Sequence, residues 1–397
     1  MSEPGVLLGL RPRLWLMTFG HLVIDSNAAL LFALLPLFVT HLHINFAQAG
    51  ALATLLLITS SVTQPVFGFW QDRHPLFPLS GVGLLVAGLA MGLTGFVTSY
   101  AQMVALMVVT GLGVAAFHPQ AVAQAGRASA DNRAWGIAIF FTGGSTGTAL
   151  MSLLIVPLAS VVGPHATLVT IIPAIAATAL FSRAYPTWIR PLPKPAGGTT
   201  ARASLRAVAA PLSMLLSVSI LRSAVMTAYL TFLPTLVVVR TGSLGLGATA
   251  LAVFLFAGSA GALLGGVAAH AFGSARVVLV SLVAGLIGLL PVPWLPAPVL
   301  VPWMFVAGAL MFASEAQVTA LAQRLLPAFV GVASSLMMGV GLGLGNLGAF
   351  VTGAIADRRG IQVALTATTF LMVGAVAAAA AYMVAMRGHE PAAVEDE

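Results

Sequence analysis

The sequence predicts an all-α membrane protein: twelve transmembrane helices in two pseudo-symmetric six-helix bundles, with N- and C-termini cytoplasmic. Three observations carry this prediction. Of the 397 residues, 59% are hydrophobic and only 7% are charged, against about 25% charged in a soluble domain, so lipid must solvate most of the surface. Apolar runs recur at lengths close to the ~20 residues that a spanning helix needs. A single long polar stretch interrupts them, with six runs on either side.

The runs fall at roughly 14–39, 48–70, 76–98, 101–126, 133–157 and 165–185, then at roughly 209–238, 246–270, 275–292, 298–325, 329–354 and 361–386. The first is too long for a signal-peptide core and has no small-residue cleavage site behind it, so it reads as span 1. The interruption, 186–208, holds Pro191, Pro193, Pro195, Gly197 and Gly198 among basic residues and reads as a flexible cytoplasmic linker. It separates an N-terminal bundle, 1–185, from a C-terminal bundle, 209–397, that closes in a short acidic tail.

Sidedness follows from the basic residues, which concentrate in cytoplasmic loops. With the N-terminus inside, thirteen of the seventeen Lys and Arg fall on the cytoplasmic side, and the external loops after spans 1, 3, 5 and 9 carry none. That distribution accounts for the net charge of +7 without nucleic acid as a partner. The expected setting is a bacterial inner membrane, crossed many times by a monomeric chain. Cysteine is absent, which removes disulfides and thiolate metal sites.

The two halves repeat. At a constant offset of 197, span 4 and span 10 match Gly111 with Gly308, His118 with Glu315, Gln120 with Gln317 and Arg127 with Arg324. Spans 1 and 7 align on Pro36 and Pro234, a register that sets Asp25 against Ser223, beside Arg222. Parallel repeats of this kind are a transporter plan in which the site lies at the repeat interface near midplane.

Only ten acids are present, and two, Asp25 and Glu315, fall inside spans; Arg222 is the deep base and His118 a deep histidine. Asp25 lies eleven residues into span 1, about 16 Å deep at 1.5 Å per residue. Ionisable groups at mid-bilayer cost at least ~2.5–3.5 kcal/mol on insertion scales and face a polar cavity or one another. One each on spans 1, 4, 7 and 10, these four read as one constellation. The bland alternative is an ion-pair network that only fixes helix packing.

Each has a role available. Asp25 is the first candidate to take and release a proton, Glu315 the second, and His118 a relay or hydrogen-bond donor. Arg222 offers a fork of donors to a carboxylate, phosphonate or phosphate. Gln120, Gln317 and Asn346 complete the candidate substrate contacts, as does His21, one turn before Asp25 on the same face. The glycine run Gly339–Gly348 lies inside span 11 without a strand before it or a Lys after it, so phosphate-loop readings fail and close helix packing is the better account. The run Phe141–Gly147 in span 5 reads likewise. No intramembrane metal cluster or serine–lysine pair stands out, no cofactor is expected, and a membrane-embedded enzyme is a distant alternative.

Several stretches resemble a known family. "GFWQDR" (Gly68–Arg73) is similar to a shortened loop 2–3 signature of the major facilitator superfamily, lacking its basic tail. "GHLVIDS" in span 1, "GLGVAAFHPQA" in span 4 and the stretch from Arg324 across span 11 resemble the fosmidomycin-resistance family of drug efflux proteins. The resemblance implies the major facilitator fold, alternating access, spans 1, 4, 7 and 10 around a central cavity, and export of small hydrophilic or amphipathic compounds, fosmidomycin-like phosphonates among them, in exchange for protons. It groups Gly68, Asp72 and Arg73, with Arg127 and Arg324, at the cytoplasmic gate. Physics leaves the sign of coupling open. If Arg222 pairs with ionised Asp25, protonation frees the arginine for an anion, which favours symport of a small organic anion; competition between proton and drug at Asp25 favours antiport.

Overall fold

Apolar segments without water must satisfy their backbone N–H and C=O groups internally, and among the described residues helices and helical turns do so throughout. The computed structural model describes residues 12–73, 78–128, 133–184, 208–326, 332–333 and 335–387. The expected linker up to residue 207 and the acidic tail lie outside them. The helices are α1 (Pro12–His41), α2 (Phe46–Val62), α3 (Gln64–Arg73), α4 (Leu79–Leu93), α5 (Tyr100–Ala128), α6 (Arg133–Val162), α7 (Ile171–Ala184), α8 (Ala209–Thr241), α9 (Leu244–Phe272), α10 (Ser274–Leu289), α11 (Ala297–Phe312), α12 (Glu315–Leu325), α13 (Leu342–Gly345), α14 (Leu347–Arg359), α15 (Ile361–Thr369) and α16 (Leu371–Ala385).

Among the described residues, eleven helical stretches are long and apolar enough to cross a membrane. One of them, Ile139–Arg183, has 45 residues, about 67 Å at 1.5 Å per residue and twice the ~30 Å hydrocarbon core. The 3-10 turn Gly163–Thr170 divides it into α6 and α7, so the eleven stretches accommodate the twelve expected spans.

Spans 2 and 12 are interrupted by single residues, Thr63 and Phe370, and spans 10 and 11 depart further from the continuous helices expected. Span 10 breaks at Ala313–Ser314, where the Ser314 hydroxyl donates to the Met311 carbonyl (3.2 Å) and competes with the helical ladder. Span 11 opens on a π-turn, Ser335–Gly341, and the Met337 carbonyl within it accepts from the Ser219 hydroxyl of α8 at 2.9 Å.

Small residues decide which helices touch. A Cβ on Gly111 of α5 would meet the Leu56 carbonyl of α2 at 2.8 Å, and one on Gly308 of α11 would meet the Phe254 carbonyl of α9 at 2.7 Å. The two glycines matched in the sequence thus make the same close approach in each half. A second pair of contacts recurs likewise: Gly144 and Gly147 of α6 press on α1, while Gly345 and Gly348 press on α8 at Ser223 and Ala224.

Contact between the halves is closest along α2 and α14. A Cβ at Gly50 would strike the Ala349 carbonyl, and one at Gly353 the backbone of Phe46. The Thr54 hydroxyl donates to the Asn346 carbonyl at 2.8 Å. At the end of this seam, external in the expected orientation, Asp357 accepts from Phe46 N (2.8 Å) and Ala47 N (2.9 Å). These are orphan donors of the first turn of α2, where a negative charge is also favoured by the helix dipole. Asn45 takes the next donor, from Gln48 N at 2.8 Å.

Asp357→Ala should loosen this end. With Ala349→Cys as the single thiol of a cysteine-free chain, labelling by a membrane-impermeant maleimide should quicken about fivefold, the equivalent of ~1 kcal/mol. Unchanged labelling would show that Asp357 does not hold the halves together.

Candidate functional site

The site begins on α1, where His21 and Asp25 stand one turn apart with His21 Nε2 3.2 Å from Asp25 Oδ2. α5 brings His118 Nε2 to 3.6 Å from the other carboxylate oxygen. Both rings are held from behind. His21 Nδ1 donates to the Phe140 carbonyl at 2.8 Å, and its ring stacks on Phe140 with centroids 4.1 Å apart. His118 Nδ1 donates to the Val114 carbonyl at 2.9 Å. A carbonyl only accepts, so each bond places a proton on Nδ1 and turns Nε2 toward the carboxylate. Gly144 makes room for the cluster, because a Cβ there would lie 2.6 Å from His21 Nε2 and closer still to Asp25 Oδ2.

A second pair forms in the other half. Arg222 Nη2 of α8 is 3.7 Å from Glu315 Oε1, the first residue of α12. Arg222 is 2% exposed, and its Nε and Nη1 have no partner among the described residues, nor does the Ser223 hydroxyl beside it. The break at Ala313–Ser314 puts the Glu315 carboxylate at a helix N-terminus, where its charge is favoured.

The four deep ionisable groups therefore form two pairs-across-helices, Asp25 with the histidines and Arg222 with Glu315, rather than one contiguous constellation. A cavity of about 230 Å³ joins them: Asp25, Ser145 and Thr148 line it from the first half, Ser259, Phe312 and Glu315 from the second. The side chains of Asp25 and Glu315 are 26% and 38% exposed, and it is through this cavity that both acids reach water.

The remaining candidates fall elsewhere. Gln120 is 3% exposed and accepts from Ser80 N (2.7 Å) and the Ser80 hydroxyl (2.5 Å), so it ties α5 to α4. Asn346 Oδ1 accepts from the Thr227 hydroxyl at 2.9 Å, tying span 11 to α8. Gln317 is buried in α12. At the expected cytoplasmic gate, Gly68 lies against Pro119 of α5 and Arg324 is exposed at the end of α12, while the side chains of Asp72, Arg73 and Arg127 lie outside the described residues. Sequence reasoning passed over Ser145, inside a run read only for its glycines, and Thr148, one residue beyond it. The signal was present: two hydroxyls spaced by three residues on one helix.

Helices of membrane length around a cavity lined by both halves, with two acids open to it, are the plan of a multi-pass membrane transporter. The family model for the Major Facilitator Superfamily matches residues 17–345, and the chain belongs to that family. It is 28% identical over 386 residues, 94% of this chain and 93% of the relative, to the uncharacterized MFS-type transporter YfnC of Bacillus subtilis (strain 168). It is 26% identical to the fosmidomycin resistance protein of Escherichia coli (strain K12), over 89% of this chain and 88% of that one. Among solved structures, an inward-facing, occupied bacterial homolog of the human lysosomal transporter Spinster superposes with a TM-score of 0.79 at 14% identity, over 96% of this chain and 98% of that one. The nucleoside transporter NupG does so with a TM-score of 0.70 at 17% identity, over 94% and 98%. At such identities the structures speak for the fold alone.

Removing one partner of the second pair should leave the other uncompensated. Glu315→Ala and Arg222→Met should each lower the thermal unfolding midpoint in detergent, and the double variant should fall short of the sum by about 1 kcal/mol, a modest coupling because Glu315 is open to the cavity. Strict additivity would mean that the two side chains do not interact.

Proposed function

We propose that this protein is a proton-coupled antiporter that exports small hydrophilic or amphipathic drugs by alternating access, fosmidomycin-like phosphonates among them. One observation carries the proton: Asp25 opens on the cavity between the halves while two imidazole Nε2 atoms face its carboxylate. Three lone-pair-bearing groups held together need a positive charge among them, and a proton shared over the cluster supplies it. A solute that docks in the cavity and displaces this proton is exchanged for it. The fosmidomycin-resistance relative supports the export direction and the class of solute.

The pairing also bears on the alternative, proton-coupled import of a small organic anion. Asp25 has the histidines and not Arg222 as its near partners, so protonating Asp25 does not release the arginine. The symport route runs through Glu315 instead. Protonated, Glu315 would let go of Arg222, whose Nε and Nη1, unpartnered among the described residues, suit a carboxylate or phosphonate.

In proteoliposomes of purified protein, fosmidomycin should accumulate when the interior is acid and protons run outward. Uptake driven by an acid exterior and lost in Arg222→Ala would overturn the export reading in favour of the organic-anion importer. Asp25→Asn should abolish gradient-driven uptake while membrane insertion and unfolding midpoint persist; a mutant that still concentrates solute on a pH gradient would remove Asp25 from the mechanism. Gly144→Ala should cost about tenfold in rate, ~1.4 kcal/mol, because its methyl occupies the space of the cluster, whereas Gly266→Ala, with nothing within 4 Å, should be silent.

A further inference from the structure

We propose that His21, Asp25 and His118 form a binding site for a divalent first-row transition-metal ion of the zinc, cobalt or nickel type, with its fourth coordination position open to the cavity. The proposal rests on the reading of that cavity as the transport path for its access to water, and adds a ligand class to it. The ligand atoms, two imidazole Nε2 and a carboxylate oxygen, lie within 4.8 Å of one another. Each imidazole faces its own oxygen of the Asp25 carboxylate, at 3.2 and 3.6 Å. Tetrahedral sites with metal–ligand bonds of about 2.0–2.1 Å have ligand–ligand edges of about 3.3–3.4 Å, so an ion would draw the three groups together by about an ångström.

The outer shell is built for the same purpose. Metal-ligating histidines characteristically give their other ring N–H to a carbonyl or carboxylate, which fixes the tautomer and the aim of the lone pair. His21 does this with Phe140 and His118 with Val114, and stacking on Phe140 holds the His21 ring in plane. Two nitrogens and one oxygen favour borderline ions over magnesium or calcium, which take oxygen ligands. Charge agrees: Glu315 sits against Arg222, and Asp25 is left as the negative charge for an incoming cation. Asp25 lines the cavity together with Ser145 and Thr148, so the fourth position would open there, for a small anion or the solute itself to complete the coordination.

Cobalt(II) is the probe. Full-length protein freed of any affinity tag, in lipid nanodiscs, should bind one Co²⁺ per chain with the intense visible bands of four-coordinate cobalt. Zn²⁺ should remove them and azide should shift them. Asp25→Asn and His118→Gln should each weaken binding by at least about tenfold, and replacing the exposed histidines His41, His43, His165 and His270 by Gln should leave it unchanged. Absent bands, bands of six-coordinate cobalt only, or bands that survive both variants with unfolding midpoints intact would overturn the site. The two readings fail separately. Proton-driven fosmidomycin uptake without cobalt binding refutes the metal site alone, and cobalt binding without proton-driven uptake refutes the coupling alone.

Discussion

A carboxylate in the middle of a membrane must reach water, a proton or an opposite charge, and the architecture around Asp25 follows from that constraint. Water arrives through the cavity between the halves, and partners arrive as two imidazoles from α1 and α5. The cluster leaves no room for a side chain on the facing helix, and Gly144 and Gly147 let α6 pack close against α1 there. The second half meets the same demand with different chemistry. There the positive charge is the permanent one of Arg222, its counter-charge comes from a helix interrupted just before Glu315, and Gly345 and Gly348 press on α8 in place of Gly144 and Gly147 on α1. A repeated scaffold thus carries one titratable pole and one fixed pole.

The scaffold was largely legible in the sequence, because hydropathy and glycine spacing are local properties. The apolar runs predicted the spans, and the matched Gly111 and Gly308 make equivalent contacts in the folded chain. The breaks in spans 10 and 11 were not legible. Each is accompanied by a hydroxyl–carbonyl bond, one from Ser314 to Met311 and one from Ser219 to Met337, and serine in an apolar helix is more often silent. The count of deep acids found Asp25 and Glu315, since each charge in the membrane is costly whatever its neighbours.

Partnership was harder to read than depth. His118 was matched with Glu315 by the repeat, yet in space it meets Asp25, because equivalence by symmetry is not contact. His21, which the sequence sets on the same face as Asp25, owes its aim to Phe140 of another helix, which holds its ring toward the carboxylate. Gln120 has the right helix and depth, but its face turns toward Ser80 of α4 rather than the cavity. Which face a residue presents is set by neighbours distant in the chain, and a single sequence carries little of that information.

Asp357 joins the halves through two adjacent amides of α2, one to each carboxylate oxygen. Because one side chain supplies both acceptors, a single substitution at this position strips two neighbouring amides of their partner at once. The joint between the halves at that end is thus a clasp with one pin.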